Sequence, residues 1–234
     1  MRRLLLLSNS TSFGRGLLDH AAAELADFLA PSRRVAFVPF ALADRDGYAE
    51  RIRARLAALE VAVDAVADGA EGHRTLLEAE AVFVGGGNTF RLLSTLQRHG
   101  LLPLLAERAR AGMPYVGSSA GTNLAGPTIR TTNDMPIVEP TSLDALGLVP
   151  FQINPHYLDP DPASTHMGET REQRLREFHE ENATPVLALR EGAWLRVEGG
   201  RARLGGLRGA RLFRRGAAPE ELAPGAALDR LLEG

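Results

Sequence analysis

The stretch YVGSSAGTN, from Tyr115 to Asn123, places two serines between two glycines directly after an apolar run. Within it, the residues from Gly117 to Gly121 fit the pattern G-x-S-x-G, with Ser119 at the centre. In a nucleophile elbow, the serine of this pattern lies in a strained strand-to-helix turn, exposed above the edge of a sheet. The stretch therefore predicts such a turn with Ser119 as a candidate nucleophile. Because the motif is short, the rest of the chain must supply a base, an orienting acid and an oxyanion site.

Apolar runs alternate with amphipathic stretches on both sides of this turn. The apolar runs predict strands at residues 3–9, 34–40, 61–66, 79–87 and 114–119. The amphipathic stretches predict helices at residues 15–29, 47–59, 89–98, 101–112 and 170–181. Continuous apolar strands joined by helices indicate a mostly parallel sheet that is covered on both faces. We therefore expect a three-layer, doubly wound α/β fold that carries a nucleophile elbow.

The pattern changes in the second half of the chain. Residues 125–168 are rich in Pro, Asn, Asp and Thr, and a long irregular stretch of this kind is usually functional or disordered. Residues 184–213 read as short strands joined by glycine turns, which predicts an antiparallel C-terminal addition. The length of 234 residues suits a single domain, 1–234, in which residues 216–234 are expected to be a peripheral tail.

Composition excludes several classes of chemistry. The chain has 27 cationic residues, all of them arginine, and no cysteine. Schiff-base lysines, Ser–Lys dyads, cysteine nucleophiles and thiolate metal sites are therefore excluded. A net charge of −2 gives no general attraction to nucleic acid or to an anionic membrane. The first residues, MRRLLLLSNSTS, contain an apolar run of only four leucines, which is too short for a signal peptide. We therefore expect a soluble, cytoplasmic protein.

The candidate base is His156, which follows a short apolar strand and enters the Pro-rich loop FQINPHYLDPDP. His166, in STHMGE, stays undetermined, and the other four histidines lie in helical, charged surroundings. Two acids could orient the base: Asp134 in TTNDMP and Glu191 in LALREGAWL. The residue pattern alone does not choose between them. Because no H-E-x-x-H or similar ligand spacing is present, we expect no metal.

A second glycine-rich element, VFVGGGNTFRLL at residues 82–93, also leads from a strand into a helix. Its backbone N–H groups could hold an oxyanion or cradle a phosphate. It lacks the lysine of a P-loop, and Arg91 stands where G-x-G-x-x-G requires its last glycine. We interpret it as an oxyanion loop, with one N–H from Gly86 or Gly87 and the other from Ala120. A tight turn would not explain Asn88, which is a candidate substrate-binding residue.

Five motifs in one order carry a family resemblance. They are GGGNTFRLL, GSSAGTN, NDMPIVEP, QINPHYLDPDP and THMGETREQRLREF. Together they resemble dipeptidase E, the aspartyl dipeptidases, from the first strand to about Gly199. That family is similar to class I glutamine amidotransferases in fold, with serine in place of the cysteine nucleophile. The resemblance implies hydrolysis of dipeptides with an amino-terminal aspartate, without metal or other cofactor, and a homodimer.

The resemblance also implies site residues. Ser119 would be the nucleophile and His156 the base, with Glu191 preferred as the acid that orients His156 and Asp134 close by; the reverse stays open. An aspartyl side chain calls for a fixed cation, and Arg171 in GETREQR is the candidate, although a solvated helix arginine is about equally compatible. Either Glu169 or Asp134 could accept the free amino terminus.

Two rival functions stay open from the sequence. A cyanophycinase-like serine hydrolase of aspartyl-arginine units would use the same serine and histidine with an extended cleft. A non-catalytic small-ligand module would use GGGNTF to hold phosphate. The sequence contains neither the basic runs nor the aromatic platform that binding of nucleic acid would require.

Overall fold

The computed structural model describes residues 1–163, 165 and 167–233, and these form eleven strands and seven α-helices. The strands are β1 (Arg3–Leu7), β2 (Arg34–Val38), β3 (Ala62–Ala65), β4 (Ala81–Val84), β5 (Tyr115–Ser118), β6 (Gln152–Tyr157), β7 (Val186–Arg190), β8 (Ala193–Glu198), β9 (Arg201–Gly206), β10 (Ala210–Phe213) and β11 (Glu220–Leu222). The helices are α1 (Ala22–Leu29), α2 (Arg45–Leu56), α3 (Gly69–Glu78), α4 (Thr89–Arg98), α5 (Leu101–Arg110), α6 (Ala120–Asn123) and α7 (Arg171–Glu181). None of the helices within the described ranges is long and apolar enough to cross a membrane.

The central sheet has seven strands in the order β3-β2-β4-β5-β1-β8-β9. The first five strands of this order are parallel, and β8 and β9 extend the sheet in antiparallel orientation. Alternate side chains of each strand point to opposite faces. On β1, Leu4 and Leu6 pack with the residues of α3, α4 and α5, whereas Leu5 and Leu7 pack with those of α1 and α2. The expected three-layer, mostly parallel α/β fold is confirmed.

A second sheet of four strands, in the order β11-β10-β7-β6, packs on the same face as α4 and α5. Strand β10 pairs antiparallel with both β7 and β11, and β6 lies parallel to β7. The strands from β7 to β10 lie within residues 184–213 and confirm the expected antiparallel C-terminal addition. The expected tail at 216–234 contributes β11, and Leu222 and Leu228 within it are buried.

The largest differences between the observed helices and the sequence predictions are at α1 and α3. The helix expected over residues 15–29 is limited to α1, preceded by a 3₁₀ turn at Asp19–Ala21. Positive φ angles at Gly14 (72°) and Leu18 (60°) prevent an earlier start, because neither conformation continues an α-helix. Helix α3 is not predicted by the sequence pattern, since Gly69 and Gly72 weaken its intrinsic helix propensity.

Candidate active site

Three neighbouring parallel strands end at one edge of the central sheet. The chain continues from β1 into Ser8, from β4 into Gly85 and from β5 into Ser119. Open α/β sheets bind ligands outside the carboxyl ends of their strands. The two glycine-rich motifs of the sequence are thereby brought to the same place.

Ser119 lies in a strained turn between β5 and α6. Its backbone has φ of 52° and ψ of −106°, a conformation that costs about 1–3 kcal/mol for a residue with a side chain. The N–H of Ser119 donates to the carbonyl of Leu7 at 3.0 Å, and its carbonyl accepts the N–H groups of Thr122 and Asn123. A Cβ at Gly117 would lie 2.6 Å from the carbonyl oxygen of Gly121, so the strand and helix can approach this closely only with glycine. The turn has the geometry of a nucleophile elbow.

The side chains of Ser119, His156 and Glu191 form one hydrogen-bonded chain. Nε2 of His156 lies 2.9 Å from Oγ of Ser119, and Nδ1 lies 2.8 Å from Oε1 of Glu191. A carboxylate at Nδ1 keeps the hydrogen on that nitrogen and leaves Nε2 free to accept a proton from the serine. The arrangement can activate Ser119 as a nucleophile for acyl transfer.

The backbone of His156 is held in an unusual conformation. Its φ angle is 55°, and the pairing of β6 with β7 shifts register between Asn154 and Tyr157. The N–H of His156 donates to Oγ of Ser8 at 2.9 Å, and that hydroxyl donates to the carbonyl of Leu189 at 2.9 Å. Ser8 therefore connects the end of β1 to both strands that carry the histidine and the acid.

Asn9, the next residue, fixes the turn that carries Glu191. Oδ1 of Asn9 accepts the N–H of Gly192 at 2.7 Å, and the positive φ of Gly192, 83°, closes the β7–β8 turn. Sequence reasoning missed both Ser8 and Asn9. The only signal for them was their position directly after β1, at the edge where ligands bind.

In the glycine-rich loop after β4, which lies against Ser119 at Gly86, one backbone donor is unused. The N–H of Gly86 donates to the hydroxyl of Tyr48 at 2.9 Å, so this donor is occupied. Gly87 and Ala120 donate to no acceptor within the described residues. A φ of 133° at Gly87 requires glycine, and a Cβ there would lie 2.6 Å from the carbonyl oxygen of Ala41. Of the two expected alternatives, the geometry favours Gly87 over Gly86 as the donor.

The sequence from residue 4 to residue 205 matches the profile of Peptidase family S51. The chain belongs to this family. The resemblance to aspartyl dipeptidases is confirmed, and so is the interpretation as an enzyme over that of a non-catalytic module. Streptomyces coelicolor "Peptidase E" is 64% identical over 230 residues, which cover 98% of this chain and 95% of that protein. The Drosophila melanogaster "Probable alpha-aspartyl dipeptidase" is 49% identical over 99% of this chain and 98% of its own.

Solved structures resemble this S51 chain over most of its length. A crystal structure of a Listeria monocytogenes protein assigned to peptidase E has a TM-score of 0.68 and 26% identity, covering 88% of this chain and 99% of that one. A crystal structure of a peptidase from an acI-B1 actinobacterium has a TM-score of 0.71 at 16% identity, covering 97% and 96% of the two chains. At that identity, the second likeness supports the fold alone.

In this S51 chain, a cavity of about 480 Å³ opens over the nucleophile. Ser119, His156, Gly87 and Asp134 line it, together with residues of α2 and of the loop after β1. Its volume falls in the range of small-molecule sites. The cavity is therefore large enough to hold a small peptide against Ser119.

Asp134 lines this cavity without contacting His156. Its Oδ2 accepts from the backbone N–H of Thr89 at 2.8 Å, from the hydroxyl of Thr89 at 2.6 Å and from the hydroxyl of Thr132 at 3.1 Å. Its Oδ1 has no hydrogen-bond partner within the described residues. The carboxylate is anchored at the N-terminus of α4, where the helix dipole favours negative charge. Of the two candidate acids, Glu191 is the one in contact with the histidine.

Arg171, at the start of α7, lines a neighbouring groove of about 600 Å³ together with Asn133 and Met135, which flank Asp134 in sequence. Its guanidinium makes no hydrogen bond or ion pair with any residue that the structure describes. Burial, and then the charge of Arg174, lower the pKa of Arg171, whereas the charge of Asp134 raises it. Arg171 is therefore a partly desolvated cation within electrostatic reach of Asp134.

Asn88 and Glu169 are engaged with other parts of the protein. Oδ1 of Asn88 accepts the N–H of Arg91 at 3.0 Å, which caps α4, and its Nδ2 donates to the carbonyl of Met135 at 2.9 Å. The carboxylate of Glu169 lies 3.4 Å from Nε of Arg174. Asn88 thus supports the loop that carries Asp134, and direct substrate binding by Asn88 stays a prediction.

His166 lies outside the described residues. Across residues 1–163, 165 and 167–233, no three His, Asp or Glu side chains are grouped in a way that could hold a metal ion.

Proposed function

We propose that this chain hydrolyses dipeptides with an amino-terminal aspartate through a serine acyl-enzyme. The observation that carries the proposal is the hydrogen-bonded chain from Ser119 through His156 to Glu191. The name of the Drosophila relative, "Probable alpha-aspartyl dipeptidase", supplies the substrate class. A metal-independent reaction follows from this assignment, since the nucleophile is a side chain of the protein.

The reaction begins as Oγ of Ser119 attacks the peptide carbonyl while Nε2 of His156 takes the hydroxyl proton. Glu191, on Nδ1, stabilises the imidazolium that forms. As the C–N bond breaks, His156 returns the proton to the leaving amine, and the aspartyl residue stays esterified to Ser119. Water, deprotonated by His156, then attacks the ester. As the ester C–O bond breaks, His156 returns that proton to Oγ of Ser119 and aspartate is released.

Negative charge develops on the carbonyl oxygen in both steps. We assign its stabilisation to the N–H groups of Gly87 and Ala120, which belong to the two glycine-rich motifs and have no acceptor among the described residues. Removal of one such donor typically costs about 10²–10³-fold in kcat. The N–H of the next residue, Asn88, donates to the carbonyl of Ala41 at 2.9 Å, and this bond holds the loop in place before substrate arrives.

Aspartyl specificity needs two charged contacts. We assign the α-ammonium group to Asp134, because it lines the cavity beside Ser119 and keeps Oδ1 unused. Glu169 lines only the neighbouring groove and is ion-paired with Arg174. We assign the side-chain carboxylate to Arg171, whose planar guanidinium suits a bidentate contact with a carboxylate.

The test compares wild type, Ser119→Ala and Ser118→Ala on Asp-Leu and Ala-Leu, with and without a chelator. Ser118 is the matched control, because its buried hydroxyl has no hydrogen-bond partner in the described part of the chain. We expect wild type and Ser118→Ala to cleave Asp-Leu far better than Ala-Leu, the chelator to have no effect, and Ser119→Ala to be inactive. Full activity of Ser119→Ala would exclude the serine mechanism. Cleavage of β-aspartyl-arginine in preference to Asp-Leu would favour the cyanophycinase-like alternative.

A cytoplasmic location and a homodimer stay predictions from the sequence and the resemblance. Light scattering on the purified chain measures its oligomeric state directly.

A further inference from the structure

Arg51 is a cation in the catalytic cavity whose role is not explained by the reaction above. Helix α2 carries four arginines, and three of them have partners. Arg45 pairs with Asp68, Arg53 donates to the carbonyl of Val63, and Arg55 donates to the carbonyl of Leu17. Arg51 has no hydrogen bond or ion pair with any described residue, and its guanidinium instead lies 5.5 Å from the centre of the Tyr48 ring.

Tyr48, one helical turn before Arg51, is itself fixed. Its hydroxyl accepts the N–H of Gly86, and its ring packs edge-on against Phe37 at 4.9 Å. Burial raises the pKa of Tyr48, so the ring stays neutral and presents an unperturbed π face to the guanidinium. Arg51 is therefore held at the cavity by a rigid aromatic platform while its N–H donors stay available.

The two charged ends of a dipeptide match the two charges of this cavity. Asp134 and Arg51 both line the space over Ser119, but only Asp134 lies beside the groove of Arg171. If Asp134 and Arg171 hold the aspartyl residue, the leaving residue extends toward α2 and the loop after β1. There Arg51 is the one permanently charged cation among the described lining residues.

We propose that Arg51 binds the free α-carboxylate of the leaving residue and so restricts the enzyme to dipeptides. The proposal rests on the proposed function for the direction in which the substrate lies. Arginine binds carboxylates through two parallel hydrogen bonds. A longer peptide or an amide has no carboxylate at this distance from the scissile bond, so it loses this contact.

The test compares two substrates that differ only in this group, Asp-Leu and Asp-Leu-amide, with wild type, Arg51→Gln and Arg53→Gln. Arg53→Gln is the matched control, since it removes the same charge two residues away on α2, outside the cavity. We expect wild type and Arg53→Gln to prefer the free acid by about 10- to 100-fold in kcat/KM. Arg51→Gln should lower kcat/KM for Asp-Leu by that factor and leave the value for the amide within about twofold.

Equal losses on both substrates, or no loss on either, would overturn the role of Arg51. The same holds if wild type cleaves acid and amide equally well. Failure of the aspartyl assignment is a separate outcome, because it appears as cleavage of other dipeptides in place of Asp-Leu. In that case the acid-to-amide comparison is made with the amino-terminal residue that the enzyme accepts, and it decides the role of Arg51 in the same way.

Discussion

The hydroxyl of Ser8 accepts the backbone N–H of His156 at 2.9 Å, across 148 residues of sequence. The bond fixes the main chain of the histidine rather than its ring. Because His156 has a φ of 55°, which a non-glycine residue rarely adopts, its backbone needs such support. The position of Nε2 relative to Ser119 thus depends on a residue that does not line the cavity and makes no hydrogen bond with the His156 ring.

Replacement of Ser8 by alanine should slow catalysis without weakening substrate binding. The change leaves the His156 N–H and the Leu189 carbonyl without their partner, which should lower the free energy of unfolding by about 1–3 kcal/mol. We expect kcat to fall about 10- to 100-fold with little change in KM, since a small displacement of a base is costly. Steady-state kinetics and urea unfolding measure the two effects separately. A stability loss with unchanged kcat would make Ser8 a structural residue only.

Glu191→Gln and Asp134→Asn should have different kinetic effects. Glu191 stabilises the imidazolium, so its amide should lower kcat by about 10²–10⁴-fold. Asp134 is assigned to the substrate ammonium, so Asp134→Asn should mainly raise KM for Asp-Leu, by about tenfold or more. Both substitutions preserve side-chain size, and steady-state kinetics on Asp-Leu is the measurement. The opposite pattern would identify Asp134 as the acid that supports the base.

Gly87→Ala should impair the reaction through the backbone. An added Cβ meets the carbonyl of Ala41 and strains a φ of 133°, so the N–H must move away from the oxyanion position. We expect kcat for Asp-Leu to fall about 10²–10³-fold. Gly200→Ala is the control, because a Cβ there has open space and the β8–β9 turn is remote from Ser119 in the sheet. Equal activity of the two variants would argue against the Gly87 donor.

Stability should fall at mildly acidic pH because of His20. The residue is 8% exposed, neither ring nitrogen has a partner within the described residues, and burial, followed by the charge of Arg15, lowers its pKa. In the unfolded chain the group titrates near pH 6.5. Below about that pH the unfolded state therefore binds a proton that the folded state does not, and the free energy of unfolding decreases until folded His20 also titrates.

The measurement is urea unfolding of wild type and His20→Leu at pH 7.5 and pH 5.5. The loss of stability between these two values should be larger for wild type than for the variant. Because carboxylates contribute to the pH dependence of both proteins, only the difference between them reports on His20. An identical pH dependence of the two proteins would exclude the effect.

The parallel part of the fold could be predicted because its signals are local. The helix predicted over 89–98 matches α4 residue for residue, since an Asn88 cap and a periodic apolar face define it. The strand that leads to Ser119 is defined equally well by its apolar run. The predicted start of α1 is wrong because Leu18 adopts the αL conformation. Its N–H donates to the carbonyl of Ser10 at 2.6 Å, a loop contact that helix propensity does not reveal.

The division of the C-terminal strands between two sheets could not be predicted. Short strands with similar apolar content carry no information about their partners, and β7 and β8, separated by a two-residue turn, belong to different sheets.

The choice between the two candidate acids could not be predicted either, because it depends on the same strand pairing. Asp134 and Glu191 both lie in loops that could carry the acid that orients His156. Only the pairing of β6 with β7 brings Glu191 next to the histidine. The sequence pattern does not identify Arg51 as a cavity residue, because it is one of four arginines on a charged helix.

The nucleophile follows a strand of the central sheet, whereas the base lies on a strand of the second sheet. A shift of one sheet against the other by less than the width of a side chain would break the hydrogen bond between Ser119 and His156, while both sheets stay intact. The turnover rate therefore depends strongly on how the two sheets pack against each other. In dilute urea, activity should disappear before circular dichroism registers any loss of secondary structure.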